Sequence, residues 1–207
     1  IPDVVKERFP RLLILEGFAL CLMNKIENAE IVNKRLNHAL TALATNSTNV
    51  SPEELQSLEI EAAVVPASIA AMKDDNARLL ELTEQMNDKP VDNLMVASLV
   101  DFRGYALLRQ GRFNESKELL ARAWQYFTIN KESYPMAVVD GYSGIAEIHQ
   151  ANYQDAYRLF DRAENAAADV DTGNIFARAV ASTMRATVCY EWNKVDEALH
   201  LLNSNLT

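Results

Sequence analysis

Residues 91–111, VDNLMVASLVDFRGYALLRQG, followed by Arg112-Phe113-Asn114 and the stretch Glu118 to Phe127, decide how this chain folds. Leu94, Ala97, Val100, Gly104 and Leu107 or Leu108 recur at three- and four-residue steps, the period of an amphipathic helix. Gly111 to Asn114 interrupts that period, and Leu119, Leu120, Ala123, Trp124 and Phe127 resume it. Two helices joined by so short a turn make an αα-hairpin.

The hairpin recurs along the chain. Small residues twelve apart, one in each helix, pair Gly17 with Ala29, Gly104 with Ser116, Gly144 with Ala156 and Ala186 with Ala198, while Val65 with Ala77 fits more loosely. The second members, at 29, 77, 116, 156 and 198, stand 48, 39, 40 and 42 residues apart. Small residues let paired helices approach closely, and larger neighbours such as Leu119, Leu120, Leu159 and Phe160 fill the groove to the next pair. The pattern predicts an all-α fold, a right-handed TPR-like α-solenoid of about five helix pairs, with residues 1–207 as a single helical-repeat domain. Tetratricopeptide repeats share the small–x11–small spacing at about 34 residues per repeat, so longer helices or loops are expected here.

Ten helices are expected, at 3–22, 27–45, 52–72, 75–87, 92–110, 114–129, 134–150, 154–169, 173–191 and 195–204. An insert over 46–51 explains the longest interval. It ends in Ser51-Pro52-Glu53-Glu54, where Ser51 can cap a helix, Pro52 suits its first position and Glu54 can close a capping box. Pro66 removes a backbone donor inside helix 52–72, which predicts a kink or split near Val65; the bend is either a plain irregularity or room for a ligand.

Of 207 residues, 49% are apolar and 24% charged, a globular balance. Only six Gly and six Pro argue against sheets joined by tight hairpins. The net charge of −9 repels phosphate backbones, so the segment itself is not expected to read nucleic acid. Cys21 and Cys189 form no CxxC pattern, which fits a reducing compartment without a disulfide framework. The uncharged stretch Ala62 to Met72 is 11 residues long against the ~20 of a membrane span, and no basic leader with an apolar run opens the chain. A soluble, cytoplasmic chain is expected, with no membrane contact. Ile1 in place of Met suggests a piece of something longer.

Chemical motifs are few. Neither G-x-x-x-x-G-K-[ST] nor G-x-G-x-x-G occurs, and Tyr142-Ser143-Gly144 lacks the glycine at 145 that a nucleophile elbow needs. His38, His149 and His200 fall on different repeats, which disfavours a metal site. No enzymatic role and no cofactor in this segment are expected. What remains is a surface. In stacked helix pairs the first helices line the inner side, and counting by helical spacing from each small residue puts ten polar or aromatic groups there. They are Arg11 and Phe18, then Glu59 beside Pro66, Ile69 and Ala70, then Asp101, Tyr105 and Arg109, then His149, and finally Thr183, Tyr190 and Glu191. Apolar walls with a few directed polar groups suit a small polar effector or a peptide.

Both ends of the chain carry more specific stretches. Ile1-Pro2-Asp3-Val4-Val5, Phe9-Pro10-Arg11-Leu12-Leu13-Ile14 and Gly17-Phe18-Ala19-Leu20 resemble the opening of the helical-repeat sensor region of MalT-type transcriptional regulators of the LuxR family. Cys189-Tyr190-Glu191-Trp192-Asn193-Lys194-Val195-Asp196-Glu197-Ala198 is similar to their recurrent tyrosine-glutamate-tryptophan-asparagine turn, and Leu107 to Phe113 matches the general repeat style. The resemblance implies a bacterial activator with an ATPase module and a DNA-binding helix-turn-helix elsewhere in the parent. It also implies a small-molecule effector or regulatory protein acting through this region on ATP-dependent self-association. ATP is then expected on another domain, and DNA is met only through another domain. The alternative is a TPR-type peptide-binding scaffold with no transcriptional role.

Overall fold

The computed structural model describes residues 1–46, 50–168 and 175–203; residues 47–49 of the expected insert and the 169–174 break lie outside the described residues. All regular structure in the described residues is helical: α1 Asp3–Arg8, α2 Pro10–Leu22, α3 Ile26–Asn46, α4 Pro52–Ala62, α5 Val64–Met72, α6 Asn76–Leu82, α7 Leu94–Arg109, α8 Phe113–Ile129, α9 Ser133–His149, α10 Tyr153–Ala168, α11 Ile175–Glu191 and α12 Val195–Asn203. A 3-10 turn, Glu84–Met86, follows α6. The chain divides into two compact units, Ile1–Arg103 and Gly104–Thr207.

The same turn closes every first-to-second helix connection. Asn24, Asp74, Gly111, Ala151 and Asn193 all have positive φ, between 56° and 75°. Each donates its N–H to the carbonyl three residues back, and the next residue donates to the carbonyl five residues back, as in Gly111 to Leu108 and Arg112 to Leu107, both 3.0 Å. This is the Schellman motif, which satisfies the last carbonyls of the first helix and starts the second two residues later. Lys131, with φ 58°, repeats it between α8 and α9. Gly111 reaches this conformation without cost, and Asn and Asp tolerate it; Ala151 does so under strain.

Counting from the left-handed residue, the close-packing positions lie seven before and five after it. They fall on Gly17 and Ala29, Gly104 and Ser116, Gly144 and Ala156, and Ala186 and Ala198, as the spacing predicts. Ala29, Ser116 and Ala156 are completely buried. In the second hairpin the count gives Ala67 and Leu79, both buried, while Ala77 is exposed. The expected pair Val65 with Ala77 is therefore two residues out of register. Val65 is instead a knob from the next hairpin: a Cβ added at Gly17 would stand 2.8 Å from its side chain. In the other unit Gly104 faces Leu120 and Gly144 faces the fully buried Phe160 ring.

Three helix boundaries depart from the ten-helix outline, two of them at a proline. Helix 3–22 breaks at Phe9 because Pro10 begins α2, where its missing N–H costs nothing. Helix 52–72 splits at Ala63, close to the break expected near Val65, so Pro66 sits in the first turn of α5. The segment before Pro90 holds the short α6 and the 3-10 turn in place of one helix over 75–87. Caps form as sequence chemistry asks: Ser51 Oγ accepts from the Glu54 N–H at 3.1 Å, Asp75 from Arg78 and Asn93 from Val96.

In the first unit α2 packs on α3, α4 and α5, and in the second α9 packs on α8, α10 and α11. The first helices of successive hairpins pack closely (α2 with α5, α9 with α11), while the second helices meet through long side chains, Arg162 of α10 over Trp124 of α8 and the Tyr157 hydroxyl of α10 donating to Glu197 of α12 at 3.2 Å. Among the described residues one helical stretch, Pro52–Met72, is long and apolar enough to cross a membrane; over half of its most apolar window is buried, with Val64, Val65, Ala67, Ile69 and Ala70 in the core of the first unit.

Gly144→Ala places a methyl 2.5 Å from the Phe160 ring and should cost about 1–3 kcal/mol, read from urea midpoints. Gly141→Ala, with nothing within 4 Å, should instead stabilise the chain by up to about 1 kcal/mol. Ala151→Gly relieves the turn at φ 60° and should raise stability by about 0.5–1 kcal/mol in the same assay.

Candidate functional site

In the first unit Arg11 on α2 reaches α4. Its Nε donates to Glu61 Oε2 at 3.0 Å and its Nη2 to Oε1 at 3.2 Å, while Ser57 Oγ donates to the same Oε1. The guanidinium is half exposed and the carboxylate nearly buried, so Glu61 depends on Arg11 and Ser57 for its hydrogen bonds. Glu59, the carboxylate expected in this place, is exposed; the two-residue register error in the second hairpin accounts for the difference. Phe18 is half-buried on α2.

Asp101 stands apart chemically. It is 6% exposed, its Oδ1 has no hydrogen-bond partner among the described residues, and burial pushes its carboxyl up to about 8. At neutral pH it keeps its proton, because an ionised carboxylate without a partner is far more costly to bury than a neutral acid.

In the second unit Tyr105 on α7 stacks on Tyr142 of α9, ring centroids 4.7 Å apart and tilted 33°. Arg109, one turn on, donates from Nη1 to the Tyr105 hydroxyl at 3.2 Å, and its guanidinium carbon lies 6.0 Å from the ring centre. Tyr142 is a site residue that spacing from Gly144 did not select. A partly exposed aromatic pair beside an exposed cation is a surface on which a flat or anionic group can stack and pair. His149 lies elsewhere on α9, stacked on Phe113 at 5.1 Å. Thr183 is exposed on α11 and its hydroxyl donates back to the Ala179 carbonyl. Tyr190 and Glu191 are exposed at the end of the same helix.

The structure thus brings Tyr105 and Arg109 together, gives Arg11 a carboxylate other than Glu59, and leaves Phe18, Asp101, His149, Thr183, Tyr190 and Glu191 as separate positions.

Two polar clusters escaped sequence reasoning. Arg162 clamps the buried Asp140 through Nε at 2.7 Å and Nη2 at 2.5 Å, and its guanidinium carbon lies over Trp124, 4.4 Å from the ring centre. Burial raises the Asp140 carboxyl, opposed by Arg162 and Trp124. Arg185 binds Glu164 at 2.6 Å, Asp161 at 3.0 Å and the Tyr157 hydroxyl at 2.9 Å. A signal existed for the first: Asp140 stands four residues before Gly144, on the face of α9 that packs, where a carboxylate requires a cation.

Two open clefts do not coincide with the tyrosine pair. One, of about 340 Å³, lies among α3, α5 and α6 and is lined by Pro66, Ile69 and Ala70 with Lys34, Lys73 and Arg78. The other, of about 490 Å³, runs from Ala151 to Asp155 against Trp192. Among the described residues no three His, Cys, Asp or Glu side chains converge as a metal site requires. No family model, curated protein or solved structure matches this chain.

Asp101 yields a test with a definite sign. Its unfolded carboxyl loses a proton near 3.8 and its folded one near 8, so stability falls as pH rises between these values and is unaffected below them. Asp101→Asn should match the parent near pH 4 and exceed it by roughly 3–5 kcal/mol at pH 8, measured by denaturant unfolding at several pH values.

Proposed function

We propose that this chain is the effector-sensing and protein-interaction module of a bacterial transcriptional activator of the MalT-type LuxR family. In this reading it is a right-handed TPR-like solenoid whose first helices face the ligand. It binds and does not catalyse. ATP and DNA belong to other domains of a cytoplasmic parent. The effector acts by favouring one arrangement of the helices, which the attached domains read as a change in self-association.

The observation that supports binding is the Tyr105–Tyr142 pair with Arg109 beside it. Two rings in partial stacking offer a platform, and the guanidinium supplies a directed cation. An aromatic or sugar ring bearing a carboxylate or phosphate would use both. The terminal stretches Ile1 to Leu20 and Cys189 to Ala198 support the regulator assignment through their resemblance to the sensor region.

A peptide-binding scaffold is favoured by a different feature: Thr183, Tyr190 and Glu191 lie open on α11, and an extended peptide uses open surface better than a small molecule does. A parent reading frame that continues into a helix-turn-helix supports the regulator over the scaffold.

Calorimetry against sugars, phenolic acids and phosphorylated metabolites should find a ligand whose affinity falls at least ~10-fold in Tyr105→Ala and in Arg109→Ala, since each contact is worth about 1–2 kcal/mol. Absence of heat with every class, together with an inducible full-length activator carrying both substitutions, overturns the sensor reading.

A further inference from the structure

Successive hairpins meet at fixed offsets from their left-handed turn residues. The residue six after one turn meets the residue one before the next. Lys117 donates to Gln150 at 2.6 Å, Tyr157 stacks on Trp192 at 5.5 Å, and Glu30 pairs with Lys73. Nine after the turn, the second unit places Leu120 and Phe160, both completely buried. The α10–α11 junction is filled in this way, with Tyr157, Phe160, Val188 and Trp192 in one core.

The α3–α5 junction of the first unit keeps the register but changes the residues. Asn33, only partly buried, stands where Leu120 and Phe160 stand elsewhere. Gly17 does not receive that side chain, as Gly104 and Gly144 do, because Val65 of α5 occupies the space. An ion pair with both members about half exposed replaces the Tyr157–Trp192 stack. The junction therefore stays open as the cleft of about 340 Å³, with Pro66, Ile69 and Ala70 as its apolar wall. Three cations line it in a chain whose net charge is −9: Lys34 on α3, Lys73 just after α5 and Arg78 on α6. Its two carboxylates are already engaged, Glu30 by Lys73 and Asp75 by the Arg78 N–H at 3.0 Å. Asn33 also lines the cleft, and its buried Oδ1 has no hydrogen-bond partner among the described residues.

We propose that this cleft binds a small hydroxylated organic anion. Its phosphate or carboxylate group lies among Lys34, Lys73 and Arg78, a hydroxyl donates to Asn33 Oδ1, and its carbon skeleton covers Ile69 and Ala70. The exposed Glu30–Lys73 pair contributes little by itself, so Lys73 turns to the ligand at small cost. A cleft of this size holds a molecule of a few carbons. The site lies wholly in the first unit and does not rest on the tyrosine pair.

Calorimetric titration of the 207-residue chain with glycerol phosphate, glycerate, inorganic phosphate, acetate and glycerol tests it. Glycerol phosphate or glycerate should bind, the tighter of the two telling a phosphate ester from a hydroxy acid, and glycerol should give no heat. The hydroxylated anion should bind about 10-fold more tightly than its bare counterpart, inorganic phosphate or acetate, and Asn33→Leu should remove that margin. Lys34→Gln and Arg78→Gln should each weaken binding about 10-fold. Both cations are exposed, so helical circular dichroism should be unchanged. No heat from either hydroxylated anion at millimolar concentration, binding that both cation substitutions leave untouched, or a margin that persists in Asn33→Leu overturns the proposal.

Discussion

A left-handed residue with two hydrogen bonds around it governs the architecture of this chain. The N–H groups at that residue and the next one close the last carbonyls of one helix, and the following helix starts at a fixed offset. Because the offset is the same in all five hairpins, the positions where the paired helices touch are also fixed, seven before and five after the turn. Side-chain size at those positions then adapts: Gly17, Gly104 and Gly144 accept Val65, Leu120 and Phe160 into the space a Cβ would fill. Burying a ring the size of Phe160 contributes about 2–3 kcal/mol, so each turn positions a substantial share of the packing energy it does not itself supply.

The polar residues obey the same register. Arg11 meets Glu61, Arg162 meets Asp140, and Arg185 gathers Asp161, Glu164 and Tyr157, each contact joining helices whose relative phase the turns have set. Where a cation arrives, the buried carboxylate is tolerated. Asp101 has no such partner among the described residues, and the cost of burying its charge appears as a raised pKa instead. Tyr105 and Tyr142 lie on first helices that the register brings side by side, which is how two residues from different hairpins form one aromatic surface.

Hairpins and close-packing pairs were legible because a 3.6-residue period and a twelve-residue spacing are local properties of the chain. The second hairpin was misread because size was used as the guide. Leu79 occupies the position that is Ala or Ser elsewhere, and Ala77 nearby drew the register two residues away. The turn residues were the better guide. Asn24, Asp74, Gly111 and Asn193 all belong to the types that tolerate positive φ, and alignment on them places Ala67, Leu79 and Glu61 correctly. The breaks at Phe9 and Ala63 were legible too, since a proline ends a helix or begins one.

By itself the amino-acid order determined the helical class, the five hairpins and most helix ends, because period, capping and turn chemistry act over a few residues. Only the tertiary structure decided which side chains meet. Tyr142 joins Tyr105, Glu61 rather than Glu59 receives Arg11, Asp140 finds Arg162, and Asp101 Oδ1 finds no partner among the described residues. Those outcomes depend on the phase of one helix against another, and a shift of two residues carries a side chain to the far side of its helix.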